Sequence, residues 1–335
     1  MSSSEISLPA EWEPHERTLI GFPCRPSSWG TMYDAGRREF AAVANAIAAF
    51  EPVTLICATA EDEAAARALV SQAVETIVIP MDGAWVRDNG PTYVFADGRR
   101  TAVSFRFNGW AERHAHRDRD AALGKSVAEA LGDPVRQIDL VLEGGGIAWD
   151  DSGTVVTTET VLMHPLRNWH LSLEQATQRL REALGARQVI VLPQGLQFDL
   201  DRVWGTDGHI DLFFDFVGPN KALMFKVEPG HEDYEHLEIS RGLLRGAGIE
   251  VFDFPYISGF SSEVRFAEAP YLNFYICNGA VIVPVCEADP DLDKTALELI
   301  GRHLPGRQVV PIPFRAGFVQ GGAIHCLTQQ VPAHR

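Results

Sequence analysis

The sequence predicts an α/β protein built from about five strand, strand, helix, strand units, and three observations carry this reading. Apolar patterning switches repeatedly between the period of a strand and that of a helix, at a spacing of roughly 60 residues. Turn signals such as Asp97-Gly98 and Asn278-Gly279 separate paired strands in successive units. The unusual residues fall at the junctions that follow the units' last strands. Units of this kind bury little surface alone, so closure into a ring is the expected architecture, with open stacking as the alternative.

The elements follow in order. A helix over Arg37 to Phe50 precedes the strand VTLICA from Val53, and an alanine-rich helix, EDEAAARALVSQAV, leads to the strand ETIVIPM. Tyr93 to Phe107 reads as a hairpin turning at Asp97 and Gly98, followed by a helix over Arg119 to Leu131 and a strand over Val135 to Leu142. The next hairpin turns at Asp150 to Gly153. Its helix starts at Ser172, with Gln175 completing a capping box, and Gln188 to Leu192 is its strand. From His209, two strands about Gly218 to Asn220, a helix over Glu232 to Arg245 and the strand IEVFDF repeat the order. NFYICNGAVIVPV, a helix over Asp291 to His303 and QVVPIPF make the last unit.

Composition narrows the function. The chain has 335 residues with 46% hydrophobic content, enough for a substantial core, and is read as a single domain over 1–335. A formal net charge of -16 disfavours nucleic acid and suits a cationic ligand. No apolar run reaches the length of a membrane span, and the polar, acidic start MSSSEISLPAEWEPHE does not resemble a leader, so the expected compartment is the cytoplasm. Five cysteines without a paired framework indicate neither disulfides nor structural zinc. Assembly into a homo-oligomer is left open.

The chemistry gathers at WVRDNGP (85–91), EGGG (143–146), WGTDGHID (204–211) and the terminal GGAIHC. If the units surround an axis, these junctions meet at one end of it. Cys326 is the candidate nucleophile, because a thiol ionises more easily than a hydroxyl and its thiolate attacks electrophilic carbon strongly. Asp88, Glu143, Asp207, Asp211 and His209 stand beside glycines. On an extended backbone His209 and Asp211 point to the same side and could address one ligand. Singly, each has an ordinary explanation: Asp207-Gly208 is a turn signal, Asp88 beside Arg87 makes an ion pair, and a free cysteine is often a small core residue. Together they suit a planar cation that binds several carboxylates, and a guanidinium fits that description. Cys326 would attack its carbon, ammonia would leave, and water would release a urea-type product, with a histidine moving protons.

These same stretches resemble the agmatine deiminase family, related to bacterial peptidylarginine deiminases. The resemblance spans LPAEWEPHERTLIGFP, WVRDNGPTYV, FNGW, LEGGGI, TTETVL followed by RN, GTDGHID, NFYICNGAVIVPV and IHCLTQQ. It implies a five-bladed α/β propeller and hydrolysis of agmatine to N-carbamoylputrescine and ammonia without metal or organic cofactor. Carried over by position, it makes Cys326 the nucleophile, His209 the general acid and base, and Asp88 and Asp211 the carboxylates that hold the guanidinium. Glu143 matches an acid that orients the histidine and contacts substrate, and Trp85 an aromatic wall along the substrate's chain. Asp207 is read as a turn residue only.

Two departures stand out: Ala323 replaces an asparagine common in the family, and Leu272 an alanine. Both are expected to bear on a tail pocket, leaving open a different arginine-derived guanidino compound or peptidylarginine as substrate. A zinc hydrolase built on His209, Asp211 and Cys326 and a non-catalytic polyamine-binding protein are the competing readings. His114 and His116, with Arg117 to Asp120, are expected in a solvated, mobile loop, and His231 and His236 in a similar setting. Cys24, Cys57, Cys277 and Cys286 are expected in the core.

Overall fold

A computed structural model of the protein describes residues 5–200, 205–256, 271–285, 287 and 289–334. It contains five small sheets on one plan. Thr92–Ala96 and Arg99–Arg106 pair antiparallel, the helix Asp118–Leu131 crosses over, and Val135–Val141 returns parallel to the second strand. Ile147–Trp149, Thr154–Thr158, the helix Leu173–Leu184 and Gln188–Leu192 repeat the plan. So do Phe214–Gly218, Lys221–Lys226, Tyr234–Gly246 and Glu250–Pro255. The next set is Tyr275–Cys277, Ala280–Val285, Pro290–His303 and Gln308–Pro313.

The remaining unit is assembled from both ends of the chain. Thr328–Pro332 pairs antiparallel with His15–Gly21, the helix Tyr33–Ile47 crosses over, and Val53–Cys57 lies parallel, with Val74–Val78 added at its edge. The sequence does not announce the terminal strand, because its partner lies more than 300 residues away and no turn joins them. Among the described residues each sheet is an open ladder of three or four strands, and none closes on itself.

Local chemistry explains the elements. At the first hairpin both Asp97 (φ 50°) and Gly98 (φ 75°) are left-handed, as a two-residue turn matched to strand twist requires. Ser172 and Gln175 form the reciprocal capping box. Asp289 caps Pro290–His303 by accepting from the amides of Asp291 and Leu292. The alanine-rich helix is shorter than its composition predicts, spanning Ala60–Arg67. Asn45 stops it, donating to the Leu69 carbonyl and accepting from the Ser71 amide, and the chain from Val74 then joins the sheet. Ala280–Val285 is buried throughout, as a central strand covered on both faces must be.

The expectation of a mobile loop before the helix at 118 is corrected in part. Asp120 is buried and accepts from the amides of Asp82 and Gly83, which pins the helix start to the 82–89 segment. His236 is likewise buried, 2.7 Å from Asp233 Oδ1, rather than solvated. Cys57 and Cys277 are in the core and Cys24 is half-buried, while Cys286 lies outside the described residues. No described helix is long and apolar enough to cross a membrane.

Candidate active site

The junctions at 85–91, 143–146, 205–211 and 321–326 bring Asp88, Glu143, His209, Asp211 and Cys326 into one buried cluster. Asp88 sits in the short helix Val86–Asn89. Its Oδ2 accepts from Trp110 Nε1 at 2.9 Å and its Oδ1 from the Gly145 amide at 2.9 Å. Trp110 reaches it from a turn in which Gly109, Trp110, Ala111 and Glu112 are all left-handed. For three non-glycine residues this is costly backbone, at about 1–3 kcal/mol each, and it persists only because neighbours fix it. Asn108 caps the turn at the Ala111 amide, His114 packs edge-on against Trp110, and Arg113 binds Asp207 with two nitrogens.

His209 follows Asp207 and Gly208, both left-handed. The carboxylate of Asp199 accepts from the amides of Thr206 and Gly208, and Thr158 donates to the Gly208 carbonyl. His209 and Asp211 do not share an extended strand, because residues 210–212 form a 3-10 turn. They converge nonetheless. His209 Nδ1 lies 3.8 Å from Asp88 Oδ1 and 3.9 Å from Asp211 Oδ1, and its Nε2 lies 3.6 Å from Glu143 Oε2. Among the described residues neither ring nitrogen has a hydrogen-bond partner, nor does Asp211 Oδ1, although all are buried, while Glu143 Oε2 pairs with Arg167 Nε at 3.0 Å. Buried polar atoms of this kind are costly unless a ligand uses them.

Cys326 lies in the one-turn helix Ile324–Leu327. Its Sγ is 3.7 Å from Asp211 Oδ2 and 3.4 Å from Asn273 Oδ1. Asn273 Oδ1 also accepts from the amides of His325 and Cys326, and its Nδ2 donates to the Asp211 carbonyl. One buried amide thus ties the nucleophile's turn to the histidine's junction. Trp85, half-buried, stacks on Trp29 with ring centroids 6.1 Å apart. It also lies against Gly322, where an added Cβ would come within 2.5 Å of its ring. That glycine therefore makes room for Trp85.

Electrostatics separates the groups. Burial resists charge on Glu143, but Arg167 and His209 outweigh it and hold the carboxyl at about 2. Burial, reinforced by Asp211, pushes Asp88 up instead. His209 is driven down by burial and up more strongly by Asp88, Glu143 and Asp211, reaching about 9. Burial and the charges of Asp211 and Asp88 push the Cys326 thiol well above its ordinary range. An unliganded site therefore holds a protonated histidine and a neutral thiol.

Several contributors were not evident in the sequence. Arg87 does not pair with its neighbour Asp88; it binds Glu11 Oε2, Gln330 Oε1 and the His325 carbonyl. Arg167 joins Glu143 to the Thr206 carbonyl. RN after TTETVL, the arginine of WVRDNGP and the histidine of IHC were visible in the sequence, but not these partners. Asp207 is the left-handed turn residue expected, with the added partner Arg113. Leu272 lies in the largest apolar core with Phe274, and Ala323 in another that Trp85 flanks. Among the described residues Glu11, Asp215 and His325 bring ligand-type atoms together, whereas His209, Asp211 and Cys326 do not; both ring nitrogens of His325 face carboxylates, Asp211 and Glu11, so the group is an ion-paired cluster rather than a set of metal ligands.

Comparison with known proteins agrees with this geometry. Residues 7–332 match the Porphyromonas-type peptidyl-arginine deiminase family. The agmatine deiminase of Stutzerimonas stutzeri is 36% identical over 97% of this chain and 95% of its own. That of Pseudomonas aeruginosa is 35% identical over 98% and 96%. The solved agmatine deiminase of Enterococcus faecalis superposes with a TM-score of 0.88 at 27% identity, covering 99% of this chain and 97% of that one. A full-length match in sequence and in fold leaves one assignment: the chain belongs to the agmatine deiminase family, within the Porphyromonas-type peptidyl-arginine deiminases.

Proposed function

We propose that the protein hydrolyses agmatine and water to N-carbamoylputrescine and ammonia through an amidino-cysteine intermediate. The observation that carries this reading is the buried Cys326 thiol, beside three carboxylates and a histidine with unpartnered polar atoms, in a chain whose relatives are agmatine deiminases. Asp88 and Asp211 bind the guanidinium with paired hydrogen bonds and cancel its charge. The bound cation in turn favours the thiolate, offsetting the two charges that suppress it in the free site, and the thiol proton leaves to solvent. Sulfur attacks the guanidinium carbon, and protonated His209 gives its proton to the departing ammonia. Neutral His209 then takes a proton from water, whose oxygen replaces sulfur and leaves the ureido product. Glu143, ionised and held by Arg167, orients His209, and Trp85 lines the path of the substrate's chain.

The finer architecture belongs to the same reading. Five like units, with the first completed by the last strand, support a five-bladed propeller whose axis ends at the site. Free thiols at Cys24, Cys57, Cys277 and Cys326 support a reducing compartment, the cytoplasm. The test is ammonia release from a panel of guanidino compounds with a metal chelator present. Agmatine should be the preferred substrate and chelator without effect. Activity that disappears with chelator and returns with zinc would replace this reading with a metal hydrolase.

A further inference from the structure

We infer that His325 is a positioning residue of the deimination step: a doubly bonded imidazolium that bridges Glu11 to Asp211 and so fixes the carboxylate facing the nucleophile. The inference rests on the proposed deimination and goes beyond it, since His325 touches neither the bound guanidinium nor the leaving group in that scheme. Its ring Nδ1 is 2.8 Å from Asp211 Oδ2 and its Nε2 is 3.2 Å from Glu11 Oε2. A neutral imidazole carries one N–H and could donate to only one of these carboxylates; the cation donates to both. The ring is buried, and its amide is bound by Asn273, so it has little freedom to turn away.

Titratable groups on four other elements face the ring. Asp211 comes from the 3-10 turn, Glu11 from the segment before the strand at 15, Arg87 from the short helix at 86 and Asp215 from the strand at 214. Cys326 follows it on its own turn. Burial and Arg87 disfavour the cation, but Glu11 and Asp211 prevail and carry the group to about 9. The proton matters to Asp211, which burial would raise and which His325 instead holds below its ordinary range. Asp211 Oδ2 is thereby occupied on one side by the imidazolium and on the other by the thiol, which leaves Oδ1 to face His209 and the ligand.

Two measurements test the bridge, one of them independent of turnover. In protein carrying nitrogen-labelled histidine, the assigned His325 ring should show protons on both nitrogens at about pH 7.5, where an ordinary histidine is mostly neutral. A singly protonated ring there overturns the proposal, whatever the substrate proves to be. His325→Gln keeps one hydrogen bond to Asp211 without the charge. The variant loses the partner that most holds Asp211 below its ordinary range, so the acid limb of kcat/KM should move up by about one pH unit. An unchanged limb with lowered activity would indicate mere packing and overturn the proposal. If that variant does not fold, Glu11→Gln should lower the pH at which His325 loses its proton, and no change overturns the bridge. Wild-type protein that releases no ammonia from agmatine, yet shows the doubly protonated ring, would remove the substrate assignment and leave the bridge standing.

Discussion

The site depends on single atoms that neighbours hold in place. Asp88 and Asp211 differ in charge environment but face the same space, so removing either charge should have a large effect with the shape retained. Asp88→Asn and Asp211→Asn are each expected to lose about 3–5 kcal/mol of transition-state stabilisation, at least a hundredfold in kcat/KM. Steady-state kinetics on folded variants decides it, and near-normal turnover in both contradicts their role. Gly145 is as restrictive. A Cβ there would lie 2.6 Å from His209 Nδ1, 2.8 Å from Asp211 Oδ2 and 2.9 Å from Asp88 Oδ1. Gly145→Ala should therefore abolish activity while the thermal midpoint changes little; activity within a fewfold of wild type would show the space is not used. Asp88, Glu143, His209, Asp211 and Cys326 were legible because acids, a histidine and a cysteine at glycine-rich junctions are chemically conspicuous. Asn273 and Arg87 were not: their work is done by a neutral amide and by a cation whose partners lie more than 70 residues away.

At the scale of elements, the turn over Gly109 to Glu112 shows how strained backbone serves the site. Its left-handed residues carry Trp110 onto Asp88, and the Arg113 pair with Asp207 clamps it to the second left-handed stretch, which carries His209. Without the clamp the turn can relax by about 1–3 kcal/mol per residue, so Arg113→Ala should cost on the order of tenfold in kcat/KM with little loss of melting temperature. Unchanged kinetics would mean that Asn108 and His114 hold the turn alone. Sequence patterning found the helices and hairpins of this region but not the turn, since FNGW carries one glycine and gives no sign that three following residues share its conformation. Likewise, alanine content placed a long helix after Thr59, and a side chain on another helix, Asn45, ended it early.

Across the whole molecule, the two ends of the chain complete one unit, and the candidate site draws on both. Deleting residues from Thr328 onward would expose His15–Gly21 and remove Gln330 from Arg87, so the truncated chain should not fold; a cooperative unfolding transition in it would contradict this. The buried charges also set a pH dependence of stability. His209 and His325, raised from 6.5 to about 9, contribute stability that is fully present below about 6.5 and lost as the pH rises through 9. Glu11 and Glu143, lowered from 4.5 to about 2, contribute above 4.5 and lose it as the pH falls through 2. The urea midpoint should therefore decline between about pH 6.5 and 9, and a flat profile there would show these groups unperturbed. The repeated order of strands and helices was readable from periodicity, whereas the pairing of first and last strands is a long-range contact that no local pattern encodes. What all scales converge on is a covalent step at one sulfur. Rapid quenching of the wild-type protein with agmatine, followed by peptide mass spectrometry, tests it most directly: the account predicts an amidino adduct confined to the peptide containing Cys326, and neither adduct nor ammonia from Cys326→Ser. Normal turnover by Cys326→Ser, or an adduct on a different cysteine, would contradict it.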